Sequence, residues 1–127
     1  IDAALAQAAP FSIHFTGLTA SPAAVLVQGF PKTTALNDLR DRLRSAIGAA
    51  GLGGALDGRY RISAAHMTAV RFCRPLQDLS RLARTLASLR RRDFGGMEAT
   101  EIQLVENDWY MSHDRVRVLR TYPLVVQ

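Results

Sequence analysis

The amino-acid sequence predicts an α+β fold, antiparallel sheets flanked by helices, in a single domain over residues 1–127. Three observations carry that expectation. Phe11, Ile13 and Phe15 alternate with Ser12, His14 and Thr16, the period of a half-buried strand. Leu36, Leu39, Leu43, Ile47 and Ala50 recur at helical spacing, and so do Leu76, Leu79, Leu82, Leu86 and Leu89. The link from the first strand to the apolar run Ala24–Phe30 is too short for a parallel crossover, so those two strands should pair antiparallel.

In chain order, residues 2–9 are Ala-rich and read as the tail of a helix stopped by Pro10. The strand from Phe11 should end at Gly17, with Ser21-Pro22 as the following turn. Pro31 ends the second strand, and Thr33 or Thr34 is placed to cap the first leucine-striped helix. That helix should stop at Gly51, where a glycine-rich stretch to Gly58 begins. Gly51-Leu52-Gly53-Gly54 follows a helix and lacks a Gly-Lys-Ser/Thr ending, so it reads as a helix stop and not a phosphate loop. A third strand is expected from Ile62 to Phe72, then the second striped helix after Arg74-Pro75. Gly95-Gly96 should turn the chain into a fourth strand over Glu98–Glu106, and a fifth is expected over Arg115–Leu124. Helix, strand, turn and strand at residues 2–30 are echoed at 76–124, and by that symmetry a strand–helix–strand unit is expected ahead of Ile1.

The chain is 48% hydrophobic and 21% charged, which suits a folded core and excludes a disordered or collagen-like class. Cys73 is the sole cysteine, so an internal disulfide and a Cys-x-x-Cys redox pair are excluded; it reads as a small buried apolar residue. No apolar run reaches the ~18 to 20 residues of a membrane span, and no basic-then-apolar leader is visible. The expectation is a cytoplasmic protein without a membrane partner.

Sixteen basic residues stand against 11 acidic ones, a net charge of +5, and 15 of the 16 are Arg. Arg pairs with phosphate oxygens in a bidentate fashion, so this balance is compatible with a phosphate-bearing ligand; a GC-rich coding bias, suggested by the abundant Ala, produces the same composition. The run Arg90-Arg91-Arg92 reads first as a solvated helix end, where cations complement the helix dipole. His113 beside Asp114 reads as surface decoration, and Trp109 and Tyr110 as packing aromatics.

Within the third expected strand, His66 and Thr68 share a face about 7 Å apart. An imidazole beside a hydroxyl can hold a phosphoryl oxygen while moving a proton near neutral pH. By alternation Arg71 points away from that face. A second His-x-Thr occurs at His14-Phe15-Thr16. Arg59-Tyr60-Arg61 leads into Ala65-His66-Met67-Thr68-Ala69-Val70-Arg71-Phe72. Paired His-x-Thr motifs and this stretch resemble the two-histidine phosphoesterase superfamily, the group that includes bacterial 2'-5' RNA ligases and cyclic phosphodiesterases. Phe11 to Leu18 with Val25 to Gly29 looks like the hairpin joining the family's two halves, and the tail from Ile102 resembles its closing strands.

The resemblance implies a two-lobed fold of which this chain is the C-terminal portion. It implies attack at a 2',3'-cyclic phosphate or a 2'-5' phosphodiester, with one histidine as base, another as acid, and threonines on the non-bridging oxygens. No metal or cofactor enters that scheme. His66 and Thr68 are the expected catalytic pair. His14, Arg59 and Arg61 are candidates to bind substrate. In the family each motif strand leads into a helix, as that of His66 does, whereas the His14 strand leads into another strand. The first catalytic histidine is therefore expected ahead of Ile1, and the chain alone should be inactive unless a homodimer supplies a second His66. The expected partner is an RNA or nucleotide cyclic phosphodiester. The residues leave open a non-catalytic RNA- or nucleotide-binding module held by Arg contacts, and a structural or interaction domain with no nucleotide ligand.

Overall fold

The computed structural model describes residues 1–127 except Gln7, residues 56–63, Trp109 and residues 126–127. In chain order the elements are α1 (Asp2–Leu5), β1 (Phe11–Ser21), β2 (Ala24–Pro31), α2 (Ala35–Ala49), a short 3-10 turn at Gly53–Ala55, β3 (Ala65–Arg71), α3 (Leu79–Ser88), β4 (Asp93–Ala99), β5 (Glu101–Glu106) and β6 (Arg117–Pro123). The chain is α+β with antiparallel strand pairs and helices. It divides into two compact units: Ile1–Phe11 with Thr34–Asp57 and Glu98–Gln127, and Ser12–Thr33 with Gly58–Met97. Among the described residues no helix is long and apolar enough to cross a membrane.

In the first unit, β5 and β6 form an antiparallel ribbon from Glu101↔Pro123 to Glu106↔Arg117. The cross-strand pair of Arg117 and Glu106 is also an ion pair. Arg120 of β6 reaches Asp2 at 3.2 Å and lies over the Tyr122 ring at 4.9 Å. Among the described residues, Leu5, Ala8, Phe11, Leu39 and Leu124 are the unit's buried ones. Helix α2 carries the first leucine stripe. Thr34 sits at its N-cap, and the Thr34 hydroxyl donates to Asp38 at 2.8 Å instead of capping the backbone. The helix closes in a Schellman motif, the Gly51 N–H donating to Gly48 O and the Leu52 N–H to Ile47 O. The expected stop at Gly51 is thus observed.

In the second unit, four strands lie in the order β3-β2-β1-β4. β1 and β2 pair antiparallel as expected, and β3 adds antiparallel to β2. One face carries the buried Ile13, Phe15, Val25 and Val27. Helix α3 follows β3; Asp78 caps it, accepting the Arg81 N–H at 2.7 Å.

Four expectations need correction. The N-terminal helix is only Asp2–Leu5, because Ile1 offers no capping side chain and one turn of Ala cannot repay helix nucleation. β1 does not end at Gly17: the glycine adopts φ 76° and the strand continues through it to Ser21. Gly95-Gly96 lies inside β4 and not in a turn. A Cβ on Gly96 would come within 3.1 Å of Ile13 O, so Gly96 serves close backbone approach to β1, while Gly95 adopts φ 85° with open space where its Cβ would be. The strand expected over Glu98–Glu106 is two, β4 and β5, parted at Thr100, whose carbonyl accepts the Leu124 N–H. Two further boundaries shift: the described part of the third strand starts at Ala65, and the last strand runs Arg117–Pro123. Cys73, expected to be buried, is exposed just beyond the end of β3.

Candidate functional site

The site is built by register. Cα partners place Gln28 opposite His66, Leu26 opposite Thr68, Phe30 opposite His14 and Leu26 opposite Thr19. Paired residues in a ladder share a face, so His66, Thr68, Gln28, Thr19 and His14 all lie on the side of the sheet opposite Phe15 and Val27. Both histidines of the two His-x-Thr pairs are therefore on one surface. Counting two strand spacings and one pair step, their Cα atoms are roughly 12 Å apart.

Two bulges shape this surface. Between Phe15↔Gly29 and Leu18↔Val27, β1 has two residues where β2 has one. The extra residue falls at Gly17, whose positive φ is the hallmark of such a bulge and returns Thr19 to the histidine face. Between Leu26↔Thr68 and Val25↔Val70, β3 carries the extra residue Ala69. That insertion reverses the alternation, so Arg71, opposite Ala24, lies on the same face as His66 and Thr68. The expectation that Arg71 points away is overturned, because simple alternation counts no bulge.

His66 and Thr68 are exposed. His66 lines a cavity of about 190 Å³ together with Thr19, Leu26, Gln28 and Phe30; Thr68 and His14 do not line it. His14 is half-buried, its Nε2 3.4 Å from Asp93 Oδ1. Asp93 Oδ1 also accepts the Gly95 N–H at 2.7 Å, which fixes the carboxylate beside the ring. Such a carboxylate can orient an imidazole by accepting from its ring N–H. Arg59 and Arg61 lie outside the described residues, as does Trp109. His113 is exposed in the loop after β5, as expected. Among the described residues, no group of three or more His, Cys, Asp or Glu could hold a metal ion.

Charge divides sharply between the units. Ser12–Thr33 with Gly58–Met97 holds ten Lys and Arg against Asp78 and Asp93, a net of +8; the remainder holds six against nine, a net of −3. These reproduce the whole-chain value of +5. The polar sheet face thus belongs to a unit far more basic than the average composition indicates, a field that attracts anions. The chain is without matches: no protein-family model, no curated protein and no solved structure.

Residues missed from the sequence are Gln28, Thr19, Asp93 and Arg71. The first three come to the histidines only through cross-strand register, which no local pattern encodes. For Arg71 the sequence held no sign of the extra residue at Ala69.

Proposed function

We propose that this chain is a phosphodiesterase or RNA ligase-like protein of the two-histidine phosphoesterase type, acting on a 2',3'-cyclic phosphate or a 2'-5' phosphodiester without a metal. The observation that carries the reading is the shared face of His66, Thr68, Arg71 and His14 in the unit of net charge +8. In hydrolysis, one imidazole takes a proton from water as its oxygen attacks phosphorus. The bond from phosphorus to the leaving ribose oxygen breaks, and the second imidazole protonates that oxygen. His66 is one of these groups. Thr68 donates its hydroxyl to a non-bridging oxygen, and Arg71 meets the phosphoryl charge. His14, backed by Asp93 at 3.4 Å, fits the second proton-transfer role within this chain.

Turnover of adenosine 2',3'-cyclic phosphate tests the reading. His66→Ala is expected to lower kcat by about 10²- to 10⁴-fold, the usual worth of a general acid or base. Thr68→Val is expected to lower it by about tenfold, one hydrogen bond to the reacting group. Unchanged turnover in His66→Ala removes that residue from the mechanism. Absence of turnover with salt-sensitive nucleotide binding replaces the enzyme by the non-catalytic binding module.

A further inference from the structure

We infer that the space between α3 and the sheet is a nucleobase slot, so that the ligand of the polar face is a nucleoside phosphate with its base under the helix. The inference rests on the phosphodiester reading for the phosphate end alone. A cavity of about 390 Å³ opens between helix and sheet, within the range of small-molecule sites. Its helix wall is Ala83, Leu86 and Ala87, with Arg90 beyond them; Thr19 and Gln28 belong to its sheet wall. Ala83 and Ala87, four residues apart, share one helix face, and their small side chains hold open a gap that two leucines would fill. The stripe residues Leu82, Leu86 and Leu89 are half-buried while Ala83 and Ala87 are exposed, so the alanine face of α3 is the part that the protein leaves uncovered.

The stand-off is anchored at one end. The Gly17 N–H donates to Arg92 O at 2.8 Å, and the Arg90 carbonyl lies so close over Gly17 that a Cβ there would sit 2.3 Å from it. The slot and the His66 cavity are neighbours, because Thr19 and Gln28 line both. The Gln28 carboxamide is half-buried and, among the described residues, makes no hydrogen bond within the protein. A carboxamide presents a donor and an acceptor side by side, the pair that the N6/N7 edge of adenine satisfies. Apolar walls suit the faces of the ring, and a planar guanidinium such as Arg90 stacks on a base. A ribose spans the step from slot to phosphate. One ligand therefore uses the apolar gap, the unpaired amide and the imidazole together.

Titration calorimetry on the 127-residue chain separates base from phosphate. Adenosine 2'-monophosphate is expected to bind at least about tenfold tighter than ribose 5-phosphate, which lacks the base. In Ala87→Leu, which adds three carbons to the helix wall of the slot with a residue that suits a helix, that advantage should fall to within about twofold; Gln28→Leu should lower it similarly. Circular dichroism confirms that each variant folds, and Ala87→Leu alone decides if Gln28→Leu does not. Equal affinity for both probes in the wild type, no binding of either, or an advantage that survives in Ala87→Leu overturns the slot. Base-selective binding without turnover of the cyclic nucleotide sinks the phosphodiesterase reading and leaves the slot standing; turnover without base preference does the reverse.

Discussion

Gly17 shows how much a single position decides here. Its φ of 76° lies in the left-handed region, which costs an L-residue about 1–2 kcal/mol, and its missing Cβ leaves room for the Arg90 carbonyl. Because the blocking atom is backbone, no side-chain rotation relieves the clash. Gly17→Ala is expected to destabilise the chain by more than about 2 kcal/mol, read as a lower urea midpoint at unchanged m. A midpoint equal to wild type contradicts the close approach. Asp108 makes a second residue-scale case. Its carboxylate accepts the Ser112 N–H at 2.9 Å, the Ser112 hydroxyl at 2.7 Å and the Tyr110 N–H at 3.0 Å, which together hold its pKa below the usual carboxylate value. A depressed pKa contributes stability that is present above the unfolded pKa of about 3.9 and is lost as pH falls through the folded value. The Ser112 amide resonance should therefore shift, and its protection relative to the intrinsic exchange rate should fall, as pH drops through the lowered pKa of the folded carboxylate. In Asp108→Asn that acid transition should be gone; a transition that persists assigns it elsewhere.

At the scale of elements, α3 is supported by its cap as well as by the half-buried Leu82 and Leu86. With no residue of the helix fully buried and Asp78 accepting the Arg81 N–H at 2.7 Å, Asp78→Ala is expected to cost about 1 kcal/mol and to fray the first turn. Amide exchange at Arg81 and Leu82 measures this, and unaltered protection rules the cap out as the support. The helices and the β1–β2 hairpin were legible in the sequence because each announces itself by period: leucines at helical spacing, alternation at Phe11, Ile13 and Phe15, and a link too short to cross over. The bulges were not, since one extra residue in a ladder leaves no compositional mark. Gly17 read as a strand end and Gly95-Gly96 as a turn because glycine is the residue of turns as well as of bulges and close approaches. The same blindness put Arg71 on the wrong face, while His66 and Thr68, with no bulge between them, were related correctly. Asp93 and Gln28 reach the site through register, which a single sequence does not display.

For the molecule as a whole, the division of charge is the most informative quantity, and averaging concealed it. A chain of net +5 is unremarkable, but the unit bearing both His-x-Thr pairs carries +8 and the other −3. Neither unit is continuous in sequence, so no window along the chain reveals the contrast. Within the basic unit, Arg90, Arg91 and Arg92 are all exposed at the end of α3, the side from which the proposed slot is closed. A mononucleotide engages few of these charges, whereas a single-stranded RNA passing over them releases a counterion for each phosphate neutralised, with a slope of log K on log salt of about −0.7 per contact. An RNA oligonucleotide ending in a 2',3'-cyclic phosphate should therefore bind with a steeper slope than adenosine 2'-monophosphate. Replacing Arg91 and Arg92 by Ala should flatten the RNA slope by roughly 1.4 for the pair and leave that of the mononucleotide unchanged. His66→Ala should alter neither slope, since proton transfer at the reacting phosphate adds no net phosphate contact. Equal slopes for the two ligands confine recognition to the terminal nucleotide and return the arginine run to the solvated helix end that the sequence first suggests.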